Sequence, residues 1–496
     1  MSGTPPNPSN HTAAGKSAWL SWFTVQRLAL IVIVMASALA MSPNVADPDL
    51  WGHVQFGRDV LATGEIAPTT SYSFTAEGYR WINHENLSEI AMALIADSLG
   101  PLGLVCGKFC LSLLVIIAVL RWNLRHGSGL IVSAIMTLLV AANLGYHWSI
   151  RPQLSSFVCF TLLLLLLQHS FAGWRDRWHW PSPRKWFQQS SLLPEGEGGR
   201  RPDEGGLEKQ LDLASTNPRS TASSSPAADA ATSPQGEVTG SRINIRQALG
   251  YDSGRIRLLW LAPLLFFVWA NSHGGFVAGL CVFVAYLGCR AVEALFRGGP
   301  LNPRNAGWGI VRRMVLMGLV AILATFINPY GPRLHLWLLE SLGSPRPEIS
   351  DWSNHELFTV VGMKLWLLVG VTAFAIIGSR RKLDLTQLIV LFLLLWQSIS
   401  HFRHVPFFAL AAGFWMGPHL QSAMTRLSRA ADADEQPSEV VLRLVRCGLA
   451  VAIVLVSFNL TQRLTDLQVR RDQFPVDAVD FMRQHNLYGR LVVTYD

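Results

Sequence analysis

Between Val45 and Gly100 the chain carries Asp47, Asp49, Asp59, Glu65, Glu77, Glu85, Glu89 and Asp97 against only Arg58 and Arg80. Carboxylates can take a proton from an attacking group, orient a substrate or hold a cation, so this stretch is the first place to look for chemistry. Asp47 and Asp49 flank Pro48, whose fixed φ sets both carboxylates on a rigid rim. They are the candidate catalytic pair, one accepting a proton and the other orienting a substrate or cation. The plainer alternative is that their charge only keeps the loop out of the cytoplasm. His53, and later His84 and Glu85 in "WINHENLSEI", could complete a metal site. However, "HENLSE" is not H-E-x-x-H, so no ligand set is assigned and a divalent metal stays open as the one cofactor to test.

Other polar residues sit at the ends of apolar runs. "HWSIRPQ" carries Arg151 and Gln153, "WANSHGG" carries Asn271 and His273, and "SHFRHVP" carries His401, Arg403 and His404. "INPYGPR" adds Asn328, Tyr330 and Arg333, and "RPEISDW" adds Glu348 and Asp351. Ionisable groups are costly beside lipid, so their default reading is functional. If the runs close into a bundle, these groups line a single cleft. His53, His84, Glu85, Arg151, Gln153, Asn271, His273, Arg403 and His404 are the substrate-binding candidates. Arg151 precedes Pro152 and suits a bound anion, a phosphate above all; the alternative is an anchor at the head-group level. Trp51, Trp81 and Trp148 read as interfacial anchors, Asn328 as a turn residue, and His401 and His404 as either helix caps or phosphate ligands.

These residues must be positioned by membrane helices. Only 15% of the chain is charged against 50% hydrophobic, and mean hydropathy is +0.28, where water-exposed domains usually carry about 25% charged residues. Runs such as "LALIVIVMASALAM" and "LIVLFLLLW" predict an all-α polytopic membrane protein. About eleven spans are expected, at 26–44, 101–121, 129–147, 154–172, 256–271, 275–296, 313–328, 361–379, 384–400, 404–422 and 442–460. The net charge of +8 does not point to nucleic acid, because the basic residues cluster at the ends of these runs. Arg121 and Arg125, the run from Arg175 to Arg257, the cluster Arg297 to Arg313, "SRRK", and Arg426 to Arg446 all fall on the side of the N-terminus. By the positive-inside rule that side is the cytoplasm, which places the 45–100 loop on the exoplasmic face.

The domain reading follows. Residues 1–25 form a cytoplasmic tail and 26–172 a first membrane bundle with the acidic loop. Residues 173–255 form a low-complexity cytoplasmic insert, without aromatics over 190–250 and unable to bury a core. Residues 256–460 form a second bundle, and 461–496 open a small exoplasmic α/β domain. There "FPVDAVDFMRQHNLYGRLVVTYD" predicts a helix from Pro475 and a strand over "RLVVTY", whose edges need pairing from chain supplied elsewhere. Within the acidic loop, "LSEIAMALIADSLG" predicts an interfacial helix.

An acidic pair just after the first span, in a long exoplasmic loop with an interfacial helix, resembles the polytopic glycosyltransferases of the C superfamily. "DPDLWGHVQFGRDVLATGEIAPTTSYSFT", "WINHENLSEI", "RPQLSSF", "WANSHGGFVAGL", "INPYGP" and "FRHVPFFALAA" are together similar to a largely uncharacterised set of bacterial membrane proteins placed near those enzymes. Relatives more often show adjacent acids or another spacer where this chain has Asp-Pro-Asp. The resemblance implies a multi-pass protein of the bacterial inner membrane. It implies a polyprenyl-phosphate-linked sugar as donor, an exoplasmic acceptor of unknown identity, an Asp as general base, inversion at the anomeric carbon, and Arg or His on the leaving phosphate. The competing expectations are a transporter or flippase for a lipid-linked or anionic substrate, and a non-catalytic scaffold.

Overall fold

The computed structural model describes residues 24–174, 245–299, 301–343, 358–428, 438–472 and 474–490. Within them the chain is mostly helical. The only β-type pairings among the described residues are two isolated bridges, Val45 with Gln468 and Thr69 with Arg80. Most of the low-complexity insert, 175–244, lies outside the described residues, and so does the expected "RLVVTY" strand, 490–495, except for Arg490. The helix expected from Pro475 is present at Val476–Gln484 with Pro475 at its N-cap.

Each expected span is helical. In chain order the helices that matter below are α1 (Val25–Ala40), α2 (Leu50–Thr63), α3 (Asn86–Arg125), α4 (Leu130–Leu144) and α5 (Gln153–Ser170). Then come α6 (Ser253–Ala270), α7 (Phe276–Arg297), α8 (Trp308–Ala324), α9 (Pro332–Gly343), α10 (Val360–Gly378) and α11 (Leu385–Ser400). The series ends with α12 (Val405–Trp415), α13 (Gly417–Ser428), α14 (Glu439–Arg463) and α15 (Val476–Gln484).

Among the described residues, 7 helices are long and apolar enough to cross a membrane: α3, α4 with its extension to His147, α5, α6, α7, α10 and α14. The expectation of eleven is met by that measure only in part. α1 and α11 have 16 residues each, and the run at 404–422 is divided at Met416 into α12 and α13.

α3 is two helices in one. Gly100 takes φ 68°, ψ −169°, and Pro101 follows it. Glycine alone accepts that backbone cheaply, and proline starts the next helix without losing a needed donor. The front half, 86–99, is thereby set at an angle to the apolar half that begins at Pro101.

The centre of the bundle is α12, every residue of which is buried. Asn123 ties α3 to it by donating to the carbonyls of Val119 and Gly413, both at 2.9 Å. Such interhelical bonds matter in apolar surroundings because no water offers an alternative. At the C-terminal end of α7, Arg290 pairs with Glu293 at 3.3 Å and with Asp384, while Trp174 Nε1 donates to Glu293 at 2.9 Å. Asp384 also caps α11, accepting from Thr386 N at 2.9 Å. This network of ion pairs and hydrogen bonds locks one end of the bundle. α7 has 22 residues, about 33 Å at 1.5 Å per residue, so its N-terminal end lies at the opposite face.

Candidate functional site

At that opposite face α2 lies on the front half of α3. Gly57 makes the approach possible: a Cβ there would run into the backbone carbonyl of Glu89. His53, one turn before Gly57, consequently sits over Glu89 with Nδ1 2.9 Å from Oε1. The other Glu89 oxygen accepts from the amide of Asn83. Glu85 is the N-cap residue of α3, one turn before Glu89, so both carboxylates share a face. Asn83 anchors this start a second time, its Oδ1 accepting from Glu85 N at 3.0 Å, while Asn83 N donates to Tyr330 Oη at 2.9 Å.

The second wall is "WANSHGG", where α6 ends and Gly274 and Gly275 turn the chain into α7. Leu87 N donates to the Asn271 carbonyl at 3.0 Å and Ser88 Oγ to the Ser272 carbonyl at 2.9 Å, knitting α3 to this turn. His273 is held in one tautomer. Gly275 N, which can only donate, points at its Nδ1 at 2.9 Å. Ser156 Oγ, 2.8 Å from the same nitrogen, accepts from Trp269 Nε1 at 2.7 Å and donates its own proton to the ring. The remaining proton of the neutral ring is thus on Nε2, directed at Glu85 Oε1 3.5 Å away.

Glu85 is at the centre. Its Oε1 is also 3.7 Å from His84 Nε2, and its Oε2 is 3.8 Å from His53 Nδ1. Three imidazoles surround one carboxylate at distances too long for hydrogen bonds. Burial raises the Glu85 pKa to about 7; the charge of Glu89 adds to this, while His53 and Arg403 oppose it. Burial lowers His84 to about 4, with Arg403 and His53 adding to the effect, and takes His273 well below its ordinary value. Burial also works against a charged His53. The Glu89 hydrogen bond and the charges of Glu85, Glu89 and Asp47 outweigh it, and the His53 pKa is raised. Near neutrality, then, Glu85 is a carboxylate able to gain or lose a proton beside two neutral imidazoles.

The rim lies beside this cluster. Arg151 forks between the two aspartates, its Nε 2.7 Å from Asp47 Oδ1 and its Nη2 against Asp49 Oδ2. Asp49 N donates to Asp47 Oδ1 at 3.1 Å. The strand of chain carrying them is fixed at both flanks: Ala46 N donates to Gln468 O and Gln468 N to Asn44 O, both at 2.8 Å, and Lys108 Nζ donates to the Pro43 carbonyl.

Of the residues singled out by sequence, the structure groups His53, His84, Glu85 and His273 at one point, with Arg403 near enough to shift His84, Glu85 and His273. Asp47, Asp49 and Arg151 form the adjoining ion cluster. The Gln153 amide is engaged with the His147 carbonyl at 2.9 Å, and the Asn271 amide with the carbonyls of Phe267 and Ile327. His404 Nδ1 faces Gln397 Oε1 at 3.2 Å, and burial lowers its pKa to about 4. Glu348 and Asp351 lie outside the described residues. Asn328 is a turn residue as expected, donating to the Thr325 carbonyl at 2.8 Å. Trp148 is not an interfacial anchor: it is fully buried and stacks on Phe157 with centroids 5.8 Å apart.

The metal question takes a different shape from the sequence expectation. The ligand atoms of His53, Glu85 and Glu89 lie within 4.8 Å of one another, a set with Glu89 in place of His84. One imidazole and two carboxylates suit a divalent ion by donor type. Sequence reasoning counted Glu89 among the acids without giving it a role. The signal was there, since the spacing of four from Glu85 in "ENLSE" puts both on one helical face. Asn83 and Ser156 carried no such signal, because their contacts come from distant parts of the chain.

No protein-family model matches the chain, and no curated protein matches it. Among solved structures it is similar to the archaeal oligosaccharyltransferase AglB from Archaeoglobus fulgidus in complex with an inhibitory peptide and a dolichol-phosphate. That similarity is at 10% identity and TM-score 0.48, covering 92% of this chain and 58% of that one. It is also similar to the Archaeoglobus fulgidus oligosaccharyltransferase tethered with an acceptor peptide containing the NVT sequon through a disulfide bond, at 10% identity and TM-score 0.46, covering 94% and 58%. The chain spans less than two thirds of the length of either.

Proposed function

We propose that this chain is a glycosyltransferase of the bacterial inner membrane that moves a sugar from a polyprenyl-phosphate carrier to an exoplasmic acceptor. The observation carrying the reading is Glu85: a carboxylate titrating near 7, ringed by imidazoles, at the mouth of an apolar helical bundle. Transfer from a lipid-linked donor needs that placement. The lipid stays among the helices, the phosphate sits at the surface, and the acceptor arrives from water.

In the reaction the acceptor hydroxyl attacks the anomeric carbon as its proton passes to Glu85. The bond from that carbon to the phosphate oxygen breaks, and the phosphate leaves with the bonding electrons, inverting the centre. We place the proton acceptor at Glu85 in preference to Asp47 or Asp49 because Arg151 occupies an oxygen of each. That cluster shapes the rim and orients the acceptor. Arg403 and neutral His84 and His404 face the leaving phosphate, where a cation and N–H donors stabilise the charge that develops. In this reading α1, α8, α11 and the α12–α13 pair complete eleven crossings, and residues 461–496 open an exoplasmic α/β domain.

The test uses the purified protein in lipid nanodiscs with a polyprenyl-phosphate-linked sugar and a candidate acceptor. Transfer predicts polyprenyl phosphate as a product, formed in step with acceptor glycosylation. Movement of uncleaved donor across vesicle bilayers, with no polyprenyl phosphate formed, would establish the flippase reading instead.

A further inference from the structure

Beside the Glu85 cluster is a cavity of about 480 Å³, between α2 and the 65–73 loop. Its wall is built from backbone: Trp81 N donates to the Pro68 carbonyl at 2.9 Å and Thr70 N to the Tyr79 carbonyl at 2.8 Å. Three rings line it. Phe56 stacks on Trp81 with centroids 6.0 Å apart and interplanar angle 30°, and meets Tyr72 edge-on at 5.7 Å. Trp81 and Tyr72 are nevertheless 40% and 62% exposed, so ring surface is open to an occupant.

We propose that this cavity is the acceptor subsite and takes the neutral pyranose ring of a carbohydrate acceptor. The inference rests on the transfer reading above and gives it a substrate class. The charges narrow the choice. The lining holds Asp59 and Glu65 and no Lys, Arg or His, which disfavours a phosphorylated or carboxylated ligand. Those carboxylates also disfavour a lipid chain, which could not hydrogen-bond them. A pyranose satisfies both features: its C–H face meets the negative face of an aromatic ring, and its hydroxyls donate to a carboxylate at the edge. Asp59 is prepared for this, its Oδ1 accepting from Gln55 Nε2 at 2.8 Å and its Oδ2 from Tyr72 Oη at 2.6 Å. Two acceptor positions remain on a fixed carboxylate.

Asn83 links the cavity to the chemistry. It lines the cavity, donates to Glu89 and accepts from Glu85 N. A ring seated on Trp81 therefore ends at the residue that binds the Glu89 carboxylate and the Glu85 backbone N–H, and a hydroxyl at that end points toward the proton acceptor.

The experiment is saturation-transfer NMR on the full chain in lipid nanodiscs, avoiding maltoside detergents because they are themselves glycosides. The probes are methyl glycosides of neutral hexoses and N-acetylhexosamines, with hexose 6-phosphates as the anionic counterpart. At least one neutral glycoside should bind, and the phosphates should not. Trp81→Ala and Phe56→Ala should each weaken binding about tenfold, the size of a lost ring contact. Asp59→Asn, which keeps shape, should do the same if the ring variants do not fold. Binding of the polyprenyl-phosphate sugar should be unchanged in all three. The proposal is overturned if no glycoside binds, if the phosphates bind equally well, or if the variants leave glycoside binding intact. Glycoside binding without donor cleavage would leave the subsite standing and remove the transfer reading. Donor cleavage without glycoside binding would do the reverse.

Discussion

Glu85 stores a conflict between stability and function that can be measured. Its pKa rises from the usual 4.5 to about 7 on folding, so the native state binds the proton more tightly than the unfolded chain. The resulting stabilisation is fully present below about pH 4.5 and is lost as pH rises through about 7. At about 1.4 kcal/mol for each tenfold change in proton affinity, a charged Glu85 costs the fold on the order of 3 kcal/mol above neutrality. Glu85→Gln should therefore melt higher than wild type at pH 8 and alike at pH 4.5, while losing activity. An unchanged melting point at pH 8 would show that the carboxylate is solvated. Arg151→Lys keeps the charge but loses the planar fork that bridges Asp47 and Asp49, and transfer should drop about tenfold or more. Full activity in that variant would leave Arg151 as a head-group anchor. If Glu85 takes the proton, transfer survives EDTA; loss restored by Mn²⁺ would put Glu85 in a coordination shell with His53 and Glu89 instead. His53, His84 and Glu85 were legible in the acidic loop, and His273 as an odd polar residue at the end of an apolar run. The Arg151 ion cluster was not, since spacing shows what a residue can bind and not which partner reaches it first.

Helices set these side chains by close approach at small residues. Gly57 lets α2 rest on the Glu89 backbone, and a methyl there must push the helices apart. Gly57→Ala should consequently separate His53 from Glu89 and lower transfer, with normal membrane insertion. Normal activity would mean that α2 shifts without consequence for the site. The break in α3 was readable from Gly100-Pro101, and the reversal after α6 from Gly274-Gly275, because both rest on local backbone chemistry. The meeting of α2 with α3 was not, because nothing in "GHVQFGRD" states which surface Gly57 faces. Among the described residues seven of the eleven expected spans are single helices long and apolar enough to cross; the division of the 404–422 run at Met416 was not readable, because apolar content does not mark where a helix breaks.

For the molecule as a whole, the hydrogen bonds between Asn44, Ala46 and Gln468 put the start of the acidic loop and the chain after α14 at one face. If the basic clusters lie on the other side, as the positive-inside rule leads us to expect, reporters fused at residues 230 and 470 should report opposite compartments. The same compartment for both would undo the topology on which the transfer reading depends. The most direct test of the central claim is the pH dependence of single-turnover transfer in nanodiscs, read as polyprenyl phosphate formed. Wild type should show a rate that rises through about pH 7 and then levels, as Glu85 becomes able to accept the proton. Glu85→Gln should bind donor normally yet transfer about 10²–10⁴-fold more slowly, without that rise. A Glu85→Gln rate equal to wild type across pH 5 to 9 would contradict the account.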